Sequence, residues 1–233
     1  MSDFFVALDL RLARYDLLQH PFYQAWSKGE LTRKELCEYA AEYWHHVSAF
    51  PTYLSALHAR LDDAPLRRTV LENLADEEGL PAGRPHSDLW MDFAIGMGAE
   101  PSAVRSRALQ AETSALIDHF RTTMQTSSLA ALTALYAYES RVPAIARTKA
   151  EGLKQHYAAD AATARYFTLH QTADVHHAQV WRDAMEQQLA AHPEQSQTAL
   201  DAAEATAAAL WSALSGIERQ RLQARAGQQT TAA

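Results

Sequence analysis

The sequence predicts an all-α protein, a bundle of about seven to eight helices. Glycine and proline occur only eight times each, and most apolar stretches repeat with the period of an α-helix. No segment alternates apolar and polar residues in the way that half-buried strands do. The 233 residues, 48% of them hydrophobic, suffice for one substantial core, so we expect a single domain over residues 1–224.

The amino-terminal part of the chain predicts three helices. Residues 3–18 form a short amphipathic stretch, and HPFYQAWSKGEL follows as an aromatic-rich helix and turn. Thr32 is the expected N-cap of a long helix, because Glu35 three residues later completes a capping box. Pro51 is expected to bend that helix, since proline lacks a backbone donor and clashes with the preceding turn.

The remaining sequence predicts further helices that begin or bend at proline, histidine and serine. They cover residues 65–78, His86 through LWMDFAIGMG, Pro101 through RTTM, Ser127 through AEGL with a kink at Pro143, Asp160 to about Leu189, and 197–224. Residues 225–233 offer too little apolar surface to become ordered, so a disordered tail is expected there.

The charge of the chain argues against two classes of partner. A formal net charge of −7 without a lysine or arginine cluster disfavours nucleic acid and anionic membranes, which both need a basic surface. No apolar run approaches the length of about 18 residues that would span a bilayer. Cys37 is a lone cysteine and cannot form an internal disulfide, and the amino terminus carries acidic residues instead of a basic leader. We therefore expect a cytoplasmic protein.

Three side chains with the character of metal ligands are spaced for one helix face. His170, Asp174 and His177 lie four and three residues apart in HQTADVHH, which on an ideal helix places them within about 60° of arc. Burying this carboxylate alone is costly, whereas a divalent cation removes the cost and fixes the geometry. The alternative is that both histidines are partly exposed and that Asp174 bridges them.

Upstream residues offer the second half of a metal site. Glu139 interrupts the apolar sequence LAALTALYAYES, where an unpaired carboxylate is hard to tolerate, and Glu77 and His86 flank a short turn. Six carboxylate and imidazole ligands suit a pair of iron or manganese ions between facing helices. The alternatives are a surface ion pair between Glu139 and Arg141 or Arg147, a solvated helix end at Glu77, and a helix cap at His86.

Aromatic residues gather near the same segments. Tyr23, Tyr39 and Tyr138 are among them, and most such rings serve packing. A tyrosine beside an oxygen-activating metal could instead donate an electron and a proton. Lys149 follows Glu139 by ten positions, about 80° around an ideal helix, so its long side chain could bend toward the same cavity. An isolated lysine is more often a surface residue.

The chain resembles the chlamydial protein associating with death domains (CADD) and its bacterial relatives in HPFYQAWSKGEL, AFPTYLSALHARLDD, NLADEEG with PHSDLW, ALYAYESRVPAIARTK and ADVHHAQ. Those proteins are haem-oxygenase-like dimetal oxidases. Their fold is shared with the pyrroloquinoline quinone synthase PqqC and the thiaminase-like TenA proteins. The resemblance covers about residues 15–190 and implies a helical bundle of the haem-oxygenase-like, TenA-PqqC-like type.

The resemblance implies an oxygen-dependent enzyme that makes p-aminobenzoate (4-aminobenzoate) for folate synthesis. In that family the ring is thought to come from a tyrosine of the protein itself and the nitrogen from a lysine, so each molecule reacts once. The implied cofactors are two metal ions, iron with iron or iron with manganese, together with molecular oxygen and an external reductant. Position by position, the metal ligands fall on Glu77, His86, Glu139, His170, Asp174 and His177.

The same comparison assigns the reacting side chains. The consumed tyrosine falls on Tyr23, the nitrogen-donating lysine on Lys149, and supporting tyrosines on Tyr39 and Tyr138. One departure concerns His86, because the segment GLPAGRP before it carries about two extra residues. Metal binding by His86 therefore depends on where this loop places it.

Three other functions stay open on the sequence. A dimetal oxidase could act on an external small substrate, and a metal-free PqqC-like or TenA-like enzyme could use His170 and His177 as acid-base groups. A pure interaction protein is the third and ranks last. An apolar aromatic face on the long helix makes a homodimer the expected assembly.

Overall fold

The computed structural model describes residues 2–231, and that part of the chain contains twelve α-helices and no strand. The helices are α1 (Ser2–Ala13), α2 (Pro21–Ser27), α3 (Arg33–His58), α4 (Ala64–Glu77), α5 (His86–Gly96), α6 (Pro101–Arg105), α7 (Ala111–Thr123), α8 (Ser128–Glu139), α9 (Val142–His156), α10 (Ala161–His170), α11 (Ala173–Ala191) and α12 (Ser196–Thr231). The predicted all-α class is confirmed. None of these helices combines the length and the apolar character that a membrane span requires.

Helices begin in the structure at the capping residues that the sequence indicates. The Thr32 hydroxyl accepts from the backbone N–H of Glu35, and the Glu35 carboxylate accepts from the backbone N–H of Thr32, which completes the capping box of α3. α3 continues through Pro51 to His58. Ser127 and Asp160 cap α8 and α10 with their side-chain oxygens, so local sequence determines where these helices begin.

Three segments that the sequence predicts as single helices are each divided into two. The segment after Pro101 forms α6 and α7, the segment after Ser127 forms α8 and α9, and the segment from Asp160 forms α10 and α11. Pro143 explains the second division, because its nitrogen cannot donate to the carbonyl of Glu139. The three divisions raise the nine helical segments named from the sequence to the twelve α-helices of the described residues, more than the expected seven to eight.

The prediction of a disordered tail over residues 225–233 is wrong for residues 225–231, which are helical. α12 continues to Thr231, and Arg225 forms an ion pair with Glu35 at 2.5 Å. The contact with α3 gives residues near 225 a partner that composition alone does not reveal. Residues 232–233 lie outside the described part of the chain. That the chain is a single domain stays a prediction, supported by one cluster of buried residues that extends from Phe5 to Ile217.

The helices surround a core rich in large aromatic side chains. α3 packs against α4, α5 and α7, while α10 packs against α5 and α9. α8 lies between α11 and α12. Trp26, Trp90 and Trp181 are almost fully buried. This arrangement directs α4, α5, α8, α10 and α11 toward one another at the ends where the predicted metal ligands lie.

Candidate metal centre

The six predicted metal ligands are concentrated at helix ends. Glu77, Glu139 and His170 are the last residues of α4, α8 and α10, and His86 is the first residue of α5. Asp174 lies in the first turn of α11. A carboxylate is electrostatically unfavourable at a helix C-terminus, where the macrodipole favours a cation. The positions of Glu77 and Glu139 therefore favour a bound cation.

A first ligand group consists of Glu77, His86 and His170. One ligand atom from each residue lies within 4.8 Å of those of the other two, and all three residues are buried. His86 Nδ1 lies 2.9 Å from Glu77 Oε2. The longer loop therefore does not separate these residues. Gly79 makes its turn possible, because it adopts φ +71° and a Cβ there would lie 2.3 Å from the Arg84 carbonyl carbon.

A second ligand group consists of Glu139, Asp174 and His177. Their ligand atoms also lie within 4.8 Å of one another, and all three residues are buried. Glu139 is only 1% exposed, so the surface ion pair considered from the sequence is excluded. His177 Nδ1 lies 3.4 Å from Asp174 Oδ1.

The HxxxDxxH segment does not form the single triad that its spacing predicts. α10 ends at His170, and α11 begins at Ala173 after a break at Gln171 and Thr172. His170 joins the first ligand group, whereas Asp174 and His177 join the second. The break therefore distributes the three side chains between two sites, one for each ion of a pair.

Buried nitrogen atoms test whether a metal fits these groups. His86 Nδ1 and His177 Nδ1 are buried and have no hydrogen-bond partner among the described residues, although a carboxylate oxygen lies close to each. Buried polar groups without a partner are rare in folded proteins. Imidazole nitrogens and carboxylate oxygens that converge without bonding to one another are the arrangement that a divalent ion requires.

Burial and the charges of neighbouring residues shift the pKa values of several residues in the two ligand groups. Burial raises the pKa of Glu139, and Asp174 raises it further. Burial opposes protonation of His177, but Asp174 and Glu139 outweigh it and raise the pKa of His177 to about 9. Burial would raise the pKa of Glu77, yet His86 and His170 hold it below its usual value. Burial and neighbouring charges together therefore set the pKa values in both groups.

Two residues outside the ligand groups orient Glu139, and neither was identified from the sequence. Asn73 Nδ2 donates to Glu139 Oε1 at 3.1 Å, and the Trp181 indole N–H donates to Glu139 Oε2. Asn73 precedes Glu77 by one helical turn, and Trp181 follows His177 by one turn. Polar or aromatic residues one turn from a candidate ligand were therefore the available signal.

Two histidine ligands are fixed through their second nitrogens. His170 Nδ1 donates to the Tyr166 carbonyl at 2.7 Å, which leaves Nε2 for a metal. His177 Nε2 contacts Asp76 Oδ2 at 3.2 Å, which leaves Nδ1. Such contacts select the tautomer that binds metal.

Both ligand groups face one small cavity of about 240 Å³. Glu77 and His170 from the first group and Glu139 and Asp174 from the second contribute to its walls. Tyr138 completes the wall, together with Tyr166, Val47 and Phe50. Tyr138 and Tyr166 also line a second, larger cavity of about 610 Å³, so these two rings separate the two spaces.

Lys149 lies within an aromatic chamber, defined here as the rings within 6.0 Å of its amine: Tyr23, Trp26, Tyr39, Tyr43, Trp90 and Phe167. Lys149 Nζ donates to the Tyr39 hydroxyl at 2.6 Å. The Tyr39 and Tyr23 hydroxyls are 3.2 Å apart. The lysine is 5% exposed, so it is not the surface residue that an isolated lysine usually is.

Burial in the chamber favours the uncharged forms of its ionisable groups. Burial lowers the pKa of Lys149 well below its usual value, and burial raises the pKa of Tyr23 and of Tyr39. Within residues 2–231, no carboxylate lies at ion-pair distance from the amine. A neutral lysine in an apolar site is a nucleophile.

The structure thus brings together the ten site residues that the sequence and its resemblance indicate, in two adjoining regions. Tyr138 belongs to the wall between these regions and not to the chamber. Tyr43, Trp90 and Tyr166 were not assigned a site role from the sequence. His176, which the spacing directs away from the ligands, is exposed.

Comparisons with known proteins agree with this arrangement. A family model described as iron-containing redox enzyme matches residues 37–211. A 4-aminobenzoate synthase from Chlamydia pneumoniae is 41% identical over 180 residues, which are 76% of this chain and 79% of that protein. A 4-aminobenzoate synthase from Nitrosomonas europaea is 39% identical over 213 residues, 86% of this chain and 85% of that protein.

Solved structures support the fold alone. A protein from Shewanella denitrificans with a haem oxygenase-like fold superposes with a TM-score of 0.82 at 15% identity, covering 96% of this chain and 95% of the other. A CADD-like protein of unknown function from Nostoc punctiforme superposes with a TM-score of 0.73 at 14% identity, covering 96% and 98%. The haem-oxygenase-like fold expected from the sequence is confirmed.

Proposed function

The chain belongs to the family of iron-containing redox enzymes, and from this premise we propose that it makes 4-aminobenzoate with two metal ions bound at its two ligand groups. Relatives that carry the name 4-aminobenzoate synthase at about 40% identity support this proposal. The observation that carries it is the pair of buried three-residue ligand groups facing one cavity. A buried lysine and two linked tyrosines lie on the far side of Tyr138 and Tyr166.

The residues of the two groups determine what such ions would do. Glu77, His86 and His170 would hold one ion, and Glu139, Asp174 and His177 the other. Iron with iron, or iron with manganese, would supply the oxidising chemistry with molecular oxygen and an external reductant. The three carboxylates neutralise most of the charge of two divalent ions, while Asn73 and Trp181 keep Glu139 oriented.

We propose that Tyr23 and Lys149 are the reactants. The Tyr23 side chain contains the carbon atoms that the product needs, a benzene ring and one further carbon at Cβ. Forming 4-aminobenzoate from it requires cleavage of the Cα–Cβ bond and oxidation of Cβ to a carboxylate by oxygen, which also oxidises the ring by two electrons. The Lys149 amine would condense with the oxidised ring carbon that carried the hydroxyl, and the oxygen would leave as water. Transfer of two electrons from Cε to the ring and hydrolysis of the resulting imine would then break the Cε–Nζ bond and leave Cε of residue 149 as an aldehyde. Each protein molecule would then react once.

The aromatic chamber supports this assignment through proton positions. The amine of Lys149 lies 4.2 Å from the centre of the Tyr23 ring and donates to the Tyr39 hydroxyl. Burial keeps the amine neutral, with the lone pair that attack on an oxidised ring requires. Tyr39 connects the hydroxyl of Tyr23 with the amine, so it can pass a proton between them. Tyr138 lies between the chamber and the ligand groups, where it can relay an electron.

Isotope labelling tests the proposal. Protein containing ring-labelled tyrosine and Nζ-labelled lysine is incubated anaerobically with iron(II), with or without manganese(II), and then exposed to air and reductant. We expect 4-aminobenzoate that carries both labels, and peptides around Tyr23 and Lys149 whose masses have changed. Labelled product with Tyr23 and Lys149 unaltered would contradict their assignment as the reactants, unlabelled product would contradict the self-sacrificing reaction, and no product at all would contradict the function.

A second candidate function is favoured by the larger cavity. This cavity is lined by Tyr23 and Lys149 together with half-buried residues, so it gives an external small substrate a path to both side chains. The enzyme would then be a dimetal oxidase with multiple turnovers. Unlabelled 4-aminobenzoate from labelled protein, in an amount exceeding the protein, would identify this function.

The remaining expectations belong to the same proposal. We propose oxygen and a small reductant as reaction partners, a cytoplasmic location, a homodimer, and no binding of nucleic acid or membrane. The absence of a lysine or arginine cluster and the net charge of −7 support the last of these.

A further inference from the structure

We propose that the larger cavity is the exit site of the product and that Arg141 binds the carboxylate of 4-aminobenzoate there. The proposal rests on the proposed function, because it assumes that an aromatic acid forms beside Lys149. It adds a binding site and a residue to that function. The argument depends on the shape, the lining and the charge of the cavity.

The cavity leads from the aromatic chamber toward the surface. Tyr23 and Lys149 line its buried part, whereas Tyr15, Leu17 and Arg141 are half-buried lining residues. Most of its other lining residues are apolar or aromatic, as is common in small-molecule sites. A molecule formed beside Lys149 would therefore reach solvent past Arg141.

One face of α9 connects the two ends of this path. Val142, Ile145, Ala146 and Lys149 follow one another at helical spacing, and all four line the cavity together with Arg141. Arg141 and Lys149 are eight residues apart, or about 12 Å along an ideal helix axis. Both side chains are long, so the space between the Arg141 guanidinium and the Lys149 amine suits a single aromatic ring. An apolar wall with polar groups at the ends is typical of sites for aromatic acids.

The charge of the lining favours a carboxylate. Among the residues that line the cavity, Arg141 and Lys149 are basic and none is acidic. The Lys149 amine is kept neutral by burial, so Arg141 carries the positive charge. An aromatic acid would thus enter the cavity with its carboxylate toward Arg141 and its ring against tyrosine and tryptophan side chains.

The guanidinium of Arg141 has capacity for such a ligand. Its Nε is buried and has no hydrogen-bond partner within residues 2–231. Its ion pair with Asp9 is long, at 3.9 Å. An unused donor next to a weakly held charge is suited to a carboxylate, which accepts from two guanidinium N–H groups at once. The helix break at Ser140 and Arg141 gives the side chain its position at the start of α9.

Ligand binding without turnover tests the assignment. Iron-loaded protein is titrated by calorimetry in the absence of oxygen with 4-aminobenzoate and with 4-aminobenzamide, which has the same ring but no charge. We expect the wild type to bind the acid about ten-fold more tightly than the amide, as one charged hydrogen-bonded pair provides. R141Q should abolish this preference and leave amide binding unchanged, and R141K should retain part of it.

Two further variants complete the test. Arg147 lies on the same helix, is exposed and does not line the cavity, so R147Q should keep the preference of the wild type. D9N removes the competing carboxylate and should tighten binding of the acid by about two-fold without affecting the amide. If R141Q fails to fold or to bind iron, the wild type and D9N decide the question.

The outcomes separate this inference from the function it rests on. A wild type without preference for the acid, a preference that persists in folded R141Q, or a D9N variant that shifts acid and amide equally would overturn the exit site, even where labelled 4-aminobenzoate is formed. A preference lost in R141Q supports a carboxylate-binding site at Arg141 even where turnover yields no 4-aminobenzoate. In that case the proposed function fails, and with it the role of the cavity as an exit.

Discussion

The ligand groups and the aromatic chamber both bury ionisable side chains, but they compensate charge in opposite ways. Around the small cavity, three carboxylates and three histidines lie close together, and neighbouring charges contribute to the shifted pKa values of Glu77, Glu139 and His177. In the chamber, Lys149 is surrounded by rings, and burial alone lowers its pKa. The first region is suited to cations, whereas the second is suited to a neutral amine.

This difference explains why the two regions can be neighbours. Two divalent ions would balance the acids without requiring a counter-charge in the chamber. A charged lysine next to bound cations would be repelled, so a neutral Lys149 is compatible with the metal centre and a protonated one is not. Tyr138 and Tyr166 separate the regions and belong to the walls of both cavities.

Among the proposed substitutions, the loss of a proposed metal ligand is expected to have the largest effect. Glu77→Gln removes one negative charge from the first ligand group, so that group should no longer bind its ion. Formation of 4-aminobenzoate should fall by at least about 100-fold, because the loss of a direct ligand exceeds that of an outer contact. Metal analysis and product assay measure the effect. Glu78→Gln is the matched control, since Glu78 is the exposed neighbour; equal losses in both variants would refute the choice of Glu77.

In the aromatic chamber, by contrast, replacing an ionisable residue should stabilise the fold. Lys149→Met should end product formation yet stabilise the fold by about 1–3 kcal/mol, because methionine fills a similar volume without burying an amine. Denaturant unfolding measures the change, and metal content should stay the same. Lys154→Met at an exposed site on the same helix should change stability by less than about 0.5 kcal/mol. A destabilised Lys149→Met protein would mean that the amine has a stabilising partner.

A third substitution distinguishes the two ligand groups, because it removes a hydrogen bond to a residue of the second group only. Trp181→Phe removes the indole donor to Glu139 and should weaken metal binding at the second ligand group by about ten-fold, leaving the first group unchanged. Competitive metal titration measures both sites. Trp44→Phe, which removes an indole donor to the Ser87 carbonyl, should leave both affinities as they are. Equal weakening at both sites would show that Trp181 acts on the general packing.

The smallest effect concerns pH. The pKa of Lys149 is lower in the folded protein than in the unfolded chain, so between the two values the unfolded chain holds a proton that the folded protein lacks. The folded form therefore gains stability as the pH rises through that interval, by up to about 1.4 kcal/mol per pH unit. The advantage of Lys149→Met over the wild type should narrow accordingly. Unfolding of both proteins at pH 7 to 10 measures it, and a constant difference would contradict a neutral lysine.

How much of this could be predicted from the sequence differs between the regions. Glu139 and Asp174 were recognisable as candidate ligands because carboxylates are rare in apolar helices. The separation of His170 from Asp174 and His177 into different ligand groups was not predictable. It depends on the break at Gln171 and Thr172, where no proline or glycine marks the helix end. The pairing of Glu77 with His86 across a long loop required coordinates as well.

The chamber was much less visible in the sequence. Lys149 resembles any surface lysine until the rings from α2, α3, α5 and α10 surround it. The spacing from Glu139 made Lys149 a candidate, but only the resemblance to known relatives assigned reacting roles to Lys149 and Tyr23. No local sequence pattern predicts that a lysine lies among uncharged groups, because apolar aromatic residues are typical of every helical core. Asn73 and Trp181 were detectable in principle through their one-turn spacing from Glu77 and His177.

Anomalous X-ray scattering from crystals of metal-loaded protein tests the central claim most directly. Data collected at the iron and manganese edges should show two metal positions, one bound by Glu77, His86 and His170 and the other by Glu139, Asp174 and His177, with none in the aromatic chamber. A single position, or metal bound outside these six side chains, would contradict the account.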